Sequence, residues 1–240
     1  MISVCLASFN GEKYISEQIE SILSQLGEND ELIISDDGSK DDTIKIIKSF
    51  NDSRIQIYNN NMGCYTKNFE NALIHAKGDI IFLCDQDDIW LPDKISVTIN
   101  TFEITQADFV VSAATVVSGD KHVIRQSTFD SGKVKTGFWL NLVSTSYIGA
   151  CMAFKRKVLE RVLPIPGKDK YIAHDYWIAC ICEKYYKTAL IDKPLILYRR
   201  HGENTSPAFG KSKLSIVERI YKRFYTMYFI IKRNKAKNCI

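Results

Sequence analysis

The stretch DIIFLCDQDDIW, residues 79 to 90, sets five apolar residues directly ahead of three carboxylates, Asp85, Asp87 and Asp88. A strand apolar on both faces is the mark of a buried, parallel sheet, and Asp85 stands at its carboxyl end. Carboxylates this close repel one another, so each needs either full solvation or a nearby positive charge. Two readings are open at this point. One is a solvated acidic turn. The other is a seat for a hard divalent cation, Mg²⁺ or Mn²⁺, which one or two carboxylates hold together with substrate phosphates.

Outward from this stretch, the first hundred residues alternate between two periods. Ile2 to Ala7, Glu31 to Ser35 and Arg54 to Asn60 are short runs rich in β-formers. Between them, Tyr14, Ile15, Ile19, Ile22, Leu23 and Leu26 recur at helical spacing, as do Ile44, Ile46, Ile47 and Phe50, and Phe69 to Ala76 continues a third helix. Ser39 and Asp42 have the spacing of a capping box ahead of the second helix. Strand–helix alternation predicts βαβ units and a mostly parallel sheet, in which ligands bind beyond the carboxyl ends of the strands. Three polar clusters, Ser8 to Gly11, Asp36 to Ser39 and Asp85 to Asp88, fall at that edge. After Pro92 the pattern loosens: ADFVVSAATVVS and VIRQSTF read as strands, HDYWIACICEKYYKTALI as a helix and a strand, and Pro194 to Arg200 as a final strand.

Composition narrows the classes. The 240 residues are 45% hydrophobic and 25% charged, as in ordinary globular domains, and the net charge of +4 says little about partners. Seven scattered cysteines without a CxxC pair argue against zinc and for a reducing compartment. MISVCLASFNGEKY has no basic n-region and long apolar core, so a signal peptide is not expected. No apolar run approaches the length of a membrane span.

Taken in order, SFNGEKYISEQIESIL, SDDGSKDDT, NNMGCYTKNFENAL, GDIIFLCDQDDIW and HDYWI resemble a family 2 glycosyltransferase of the GT-A fold. GACMAFKR and YRRHGENTS extend the resemblance to about Ser206. DQDDIW and YRxHxxN are similar to the bacterial enzymes known as rhamnosyltransferases. The resemblance implies an α/β GT-A domain over 1–210. Residues 1–100 would form a Rossmann-like nucleotide-sugar half with a mostly parallel central sheet, and 101–210 the acceptor half; a basic helical tail follows over 211–240.

Site roles follow from the resemblance residue by residue. Ser8, Asn10, Glu12, Asp36, Asp37, Gly63, Lys67, Asp85, Gln86, Gly149, Ala150 and Arg200 would bind the donor, with Asp36 reading a pyrimidine base. Asp87 would hold the metal, with His201 as a further ligand or a phosphate contact, and Asp85 rivals Asp87 as principal ligand. Asp88, Trp90 and His174 would meet the acceptor, with orientation of neighbours as the other reading of Asp88. Asp175 matches the general base and, at a helix start, would be oriented by backbone amides. Arg199 or Arg200 would pair with the diphosphate. The implied reaction moves a single sugar, with inversion, from dTDP-L-rhamnose or a UDP-hexose to a lipid-linked surface-polysaccharide (O-antigen) intermediate. QxxRW, which the processive members carry, is absent, and YRRHGEN stands in its region, which points to one sugar per event.

From Lys211 onward, Lys and Arg alternate with Leu214, Ile216, Val217, Ile220, Tyr221, Phe224, Tyr225, Tyr228 and Phe229. Such a helix suits the surface of an anionic membrane, or it packs on the domain with its basic face in water. The expected location is cytoplasmic, peripheral on the inner face of the cell membrane, and no nucleic acid is expected as a partner. Two rival functions differ in kind. A metal-dependent nucleotidyltransferase would need a Gly-rich basic triphosphate site that SFNGEKY lacks, and a non-catalytic sugar-nucleotide or membrane module would bind without turnover.

Overall fold

A computed structural model describes residues 1–130, 132, 134, 136–167, 171–202 and 215–237, with side chains as far as residue 233. The first half runs β1 (Ile2–Ser8), α1 (Ile15–Leu23), β2 (Glu31–Asp36), α2 (Thr43–Ser49), β3 (Ile55–Asn59), α3 (Tyr65–His75) and β4 (Ile80–Asp85). After it come β5 (Ile89–Trp90), α4 (Lys94–Thr105), β6 (Phe109–Ser118), β7 (Val123–Arg125) and α5 (Phe138–Val143). The chain then passes through β8 (Met152–Lys155), α6 (Leu159–Val162), α7 (His174–Tyr185), β9 (Thr188–Arg200) and α8 (Ile216–Lys237).

These nine strands form one sheet in the order β3-β2-β1-β4-β8-β6-β9-β5, with β7 pairing on β6. The β3-β2-β1-β4 portion is parallel throughout, as expected. In the second half β6 and β9 pair in parallel, whereas β8, β5 and β7 run antiparallel to their neighbours. Register aligns Ser8 with Asp36 and Ala7 with Asp85, so the three polar clusters share one edge. That alignment follows from burial. Both faces of β1, β2 and β4 are covered, and Val4, Cys5, Leu6, Ile33, Phe82 and Leu83 are fully buried.

Three local expectations change. Asp42 makes no side-chain cap on α2; Ser39 Oγ donates instead to Asp36, and Asp41 accepts from the Thr43 N–H and hydroxyl. The acids of the preceding turn thus compete for the donors a capping box would use. The two predicted strands on either side of Asp192 and Lys193 are one strand, β9, whose register against β6 shifts around Ala113. Pro194 faces Ala113 at that shift, where a missing N–H is tolerated. VIRQSTF contributes only Val123–Arg125 as strand. The expected start of the tail at 211 lies outside the described residues.

Candidate active site

At the carboxyl edge, the loops after β1 and β2 are stitched crosswise. Asn10 N–H donates to Ser39 Oγ at 2.8 Å, and Asn10 Oδ1 accepts from Lys40 N–H at 2.9 Å. Glu12 Oε2 accepts from Asp42 N–H at 2.9 Å, while Glu12 N–H donates to Asp41. Asp36 is buried and accepts from four donors: the Ser8 and Ser39 hydroxyls and the Gly38 and Ser39 amides. Asp37 accepts from Met62, Gly63 and Cys64 N–H and from Asn60 Nδ2. A carboxylate therefore fills the nest of amides at the start of α3. Gly63, at φ +59°, gives that nest its left-handed turn.

The DQDD turn is held from three sides. Gln86 pairs with the Phe9 backbone twice, accepting its N–H at 2.8 Å and donating to its carbonyl at 3.0 Å. Its amide occupies the space where a Cβ on Gly11 would stand, 2.4 Å from Oε1. Asp88 is fully buried and accepts from Arg199 N–H of β9 at 3.0 Å. Asp87 Oδ2 lies 2.7 Å from His201 Nε2, just past the end of β9. His201 in turn packs 4.7 Å from the Tyr14 ring.

Burial changes several expected roles. Asp88, Trp90 and His174 are 0%, 3% and 6% exposed, so their side chains lie beneath the cleft surface rather than on it. Asp88 orients β9, Trp90 lies under Lys94 with its amide bonded to Ser21, and His174 stacks on Phe69 at 3.8 Å. Burial raises the Asp88 carboxyl well above its usual range, with the charges of Asp87 and Asp85 adding to it. The buried Lys94 ammonium beneath it is lowered, mainly by the same desolvation, and donates to Ala150 O. Lys67 bonds Glu70 and the Ile165 carbonyl, which turns it toward the second half of the chain. Arg199 is buried against Glu17, the Gly119 carbonyl and the face of Tyr14. Of the two arginines, Arg200 is the one left half-buried at the strand end.

Asp175 sits in the first turn of α7 and accepts the Tyr176 N–H at 2.6 Å, the backbone orientation expected of it. Gly149 makes its approach possible. A Cβ there would lie 2.8 Å from His174 Nε2 and 3.4 Å from the Asp175 Cβ. Burial, then the charges of Asp87 and Asp175, push the Asp85 carboxyl up to about 8. Asp85, Asp87 and His201 are the donor set a divalent cation would use. The residues fit such an ion when a diphosphate completes its shell; among the described residues, no three His, Cys, Asp or Glu side chains form a ready-made cage. Asn68 and Glu17 were missed in the sequence. Asn68 joins Ser8 O to Ser35 Oγ, and Glu17 holds Arg199. Both look like ordinary polar positions on a helix, so no sequence signal marks them.

The family model described as glycosyl transferase family 2 matches residues 3–163. The dTDP-rhamnosyl transferase RfbG of Shigella flexneri is 30% identical over 215 residues, covering 83% of this chain and 72% of that protein. The Escherichia coli UDP-Glc:alpha-D-GlcNAc-diphosphoundecaprenol beta-1,3-glucosyltransferase WfaP is 40% identical over 113 residues, 47% of this chain and 45% of its own length. The chain spans 66% of an uncharacterized Nostoc glycosyltransferase, to which it is 26% identical over 85% of its own length. Among solved structures, Staphylococcus aureus TarS 1-349 in complex with UDP-GlcNAc superposes with a TM-score of 0.70 at 17% identity, over 95% of this chain and 72% of that one. The mannosyltransferase PcManGT from Pyrobaculum calidifontis, in complex with GDP-Man and Mn²⁺, reaches 0.59 at 20% identity, over 80% and 54%. The fold is GT-A, and the chain belongs to glycosyl transferase family 2.

Proposed function

We propose that this chain transfers one glycosyl residue, with inversion, from a pyrimidine nucleoside-diphosphate sugar to a hydroxyl of a lipid-linked saccharide. The observation that carries the reading is the register that brings the polar loops after β1, β2 and β4 to one sheet edge, where Asp87 of the β4–β5 turn lies 2.7 Å from His201 just past β9. Asp175 is the general base. It takes the acceptor hydroxyl proton as that oxygen bonds to the anomeric carbon and the bond from that carbon to the diphosphate breaks. The Tyr176 amide holds one carboxylate oxygen, which leaves the other for the acceptor. Asp85, Asp87 and His201 hold Mg²⁺ or Mn²⁺, and Arg200 meets the diphosphate. The bound cation supplies Lewis-acid stabilisation of the leaving diphosphate.

Ser8, Asn10, Glu12 and the Asp36–Asp37 turn frame the nucleoside pocket, and Gly149 with Ala150 forms the floor where sugar meets acceptor. A dTDP- or UDP-linked donor is supported by the names of RfbG and WfaP, and a diphosphoundecaprenol-linked acceptor by that of WfaP. Such an acceptor brings the chain to a membrane surface. Among the described residues, no helix is long and apolar enough to cross one.

The test is release of nucleoside diphosphate from a panel of nucleotide sugars with Mn²⁺ or Mg²⁺. Wild type should turn over one donor, and chelation with EDTA should abolish turnover reversibly. Asp87→Ala should lower it by about 10²-fold or more, the scale of losing several kcal/mol of charge stabilisation. Full activity in EDTA would contradict the reading.

A further inference from the structure

A soluble surface helix turns its apolar stripe to the core and its charges to water. On α8 the side facing the domain carries the cations Lys222, Arg223 and Arg233 among Tyr225, Thr226, Phe229 and Ile230, so cations as well as apolar groups point inward. Lys222 Nζ lies 3.7 Å from the Tyr176 ring centroid, and Arg233 lies over Trp177 at 4.9 Å. Arg223 donates to the Val143 carbonyl at the end of α5, and Arg233 to the carbonyls of Arg161 and Pro164. Cations at the carbonyl ends of two helices are favourable contacts, so the helix is fixed in this rotation. Thr226 and Ile230 are fully buried beneath it.

Outward, an apolar stripe runs from Val217 to Ile231. Val217, Ile220, Phe224, Tyr228 and Ile231 follow one another at spacings of three and four and are 76%, 45%, 71%, 59% and 49% exposed. Trp139, 68% exposed, stands on α5, the helix whose Val143 carbonyl accepts from Arg223. A contiguous apolar surface of this kind marks a docking site.

Charge indicates what docks there. Residues 211–240 hold nine Lys or Arg and one Glu, a net of +8, which leaves 23 basic and 27 acidic residues, a net of −4, in 1–210. Positive charge is thus concentrated along the segment that bears the apolar stripe, with Lys222, Arg223 and Arg233 turned to the domain. Exposed Arg219 and Lys232 flank the stripe. Apolar side chains with Tyr and Trp among them, rimmed by cations, match the headgroup–acyl boundary of an anionic bilayer.

We propose that the outer face of α8, with Trp139 of α5, is a docking surface for an anionic lipid bilayer. Because the inner face of α8 lies on Tyr176, the residue after Asp175, the bilayer would stand about one helix diameter, roughly 10 Å, from the start of α7. Docking itself does not depend on the reaction; that it brings a lipid-linked acceptor to Asp175 rests on the reading above.

The experiment is flotation of the full chain with vesicles of phosphatidylcholine alone and of phosphatidylcholine mixed with phosphatidylglycerol, at low and high salt, without donor or acceptor. Trp139 is an internal reporter, because Trp90 and Trp177 are 3% and 0% exposed. Binding to the anionic vesicles, weakened by salt and accompanied by a blue shift of tryptophan emission that Trp139→Phe removes, is the expected result. The double variant Phe224→Ser, Ile231→Ser removes two exposed side chains and should lower partitioning by about 100-fold, near tenfold for each. Release of nucleoside diphosphate should stay at the wild-type level in that variant, which separates docking from catalysis. No flotation with anionic vesicles would overturn the proposal, as would flotation unaffected by the double variant. A concentration-dependent dimer that shifts Trp139 emission without lipid and is lost in the double variant would assign the face to a second copy of this chain instead.

Discussion

Asp88 and Asp87 are adjacent and chemically identical, yet one is fully buried under β9 and the other touches His201 at the cleft. The difference lies in the turn geometry that carries β4 into β5, which no spacing rule conveys. Asp88 acts through its acceptor oxygen, because its buried carboxyl is raised well above the usual range, by desolvation first. Asp88→Asn keeps an oxygen for the Arg199 amide and should leave stability near that of wild type. Asp88→Ala orphans that buried N–H and should cost about 1–3 kcal/mol, read from urea midpoints. Equal losses in both variants would mean that the charge, not the hydrogen bond, matters. The acidic cluster was legible in the sequence as a group at the sheet edge, but its division into a buried Asp88 and half-buried Asp85 and Asp87 was not. The same holds for His174 and Trp90, whose neighbours in the sequence do not reveal that aromatic and lysine side chains cover them.

At the scale of elements, Arg54 links three pieces that sequence treats separately. It pairs with Asp52 through two nitrogens, at 3.0 and 2.6 Å, and donates to the carbonyls of Leu23 and Leu26 where α1 ends. These bonds hold the Asp52 carboxyl down at about 2, the side-chain bond to Arg54 being the largest cause. A depressed carboxyl stabilises the fold above its unfolded value near 4, and that contribution fades as pH falls through about 2. Arg54→Ala should therefore lower stability by about 1–3 kcal/mol at neutral pH, with the gap from wild type narrowing in acid denaturation below about pH 4. A gap that widens toward low pH would contradict the pairing. Helices and strands of the first half were readable because the hydrophobic periods of 3.6 and 2 are set by burial on the sheet. The Ser39–Asp42 capping box failed because Asp36 takes the Ser39 hydroxyl. The rotation of α8 was unreadable for a related reason. A stripe at helical spacing reveals that a helix has two faces, but which face meets the domain depends on the carbonyl ends of α5 and α6 waiting for arginines.

Across the whole molecule, one sheet edge gathers the β1, β2 and β4 loops, the end of β9 and the start of α7. The opposite charges of 1–210 and 211–240 are divided along the chain. The parallel half of the sheet carries the loops after β1, β2 and β4, and in the mixed half Gly149 leaves room for His174 and Asp175 at the start of α7. That second half was the less legible part, because β8, β5 and β7 pair antiparallel across long sequence separations that local pattern does not encode. The central claim is that Asp175, delivered by α7, is the base that activates the acceptor. The most direct measurement is single-turnover transfer by purified Asp175→Asn with donor, Mn²⁺ and a lipid-linked acceptor, alongside donor binding followed by thermal shift. The account predicts transfer reduced by about 10²–10⁴-fold, with donor-induced stabilisation retained. Transfer by Asp175→Asn at a rate near that of wild type would contradict it.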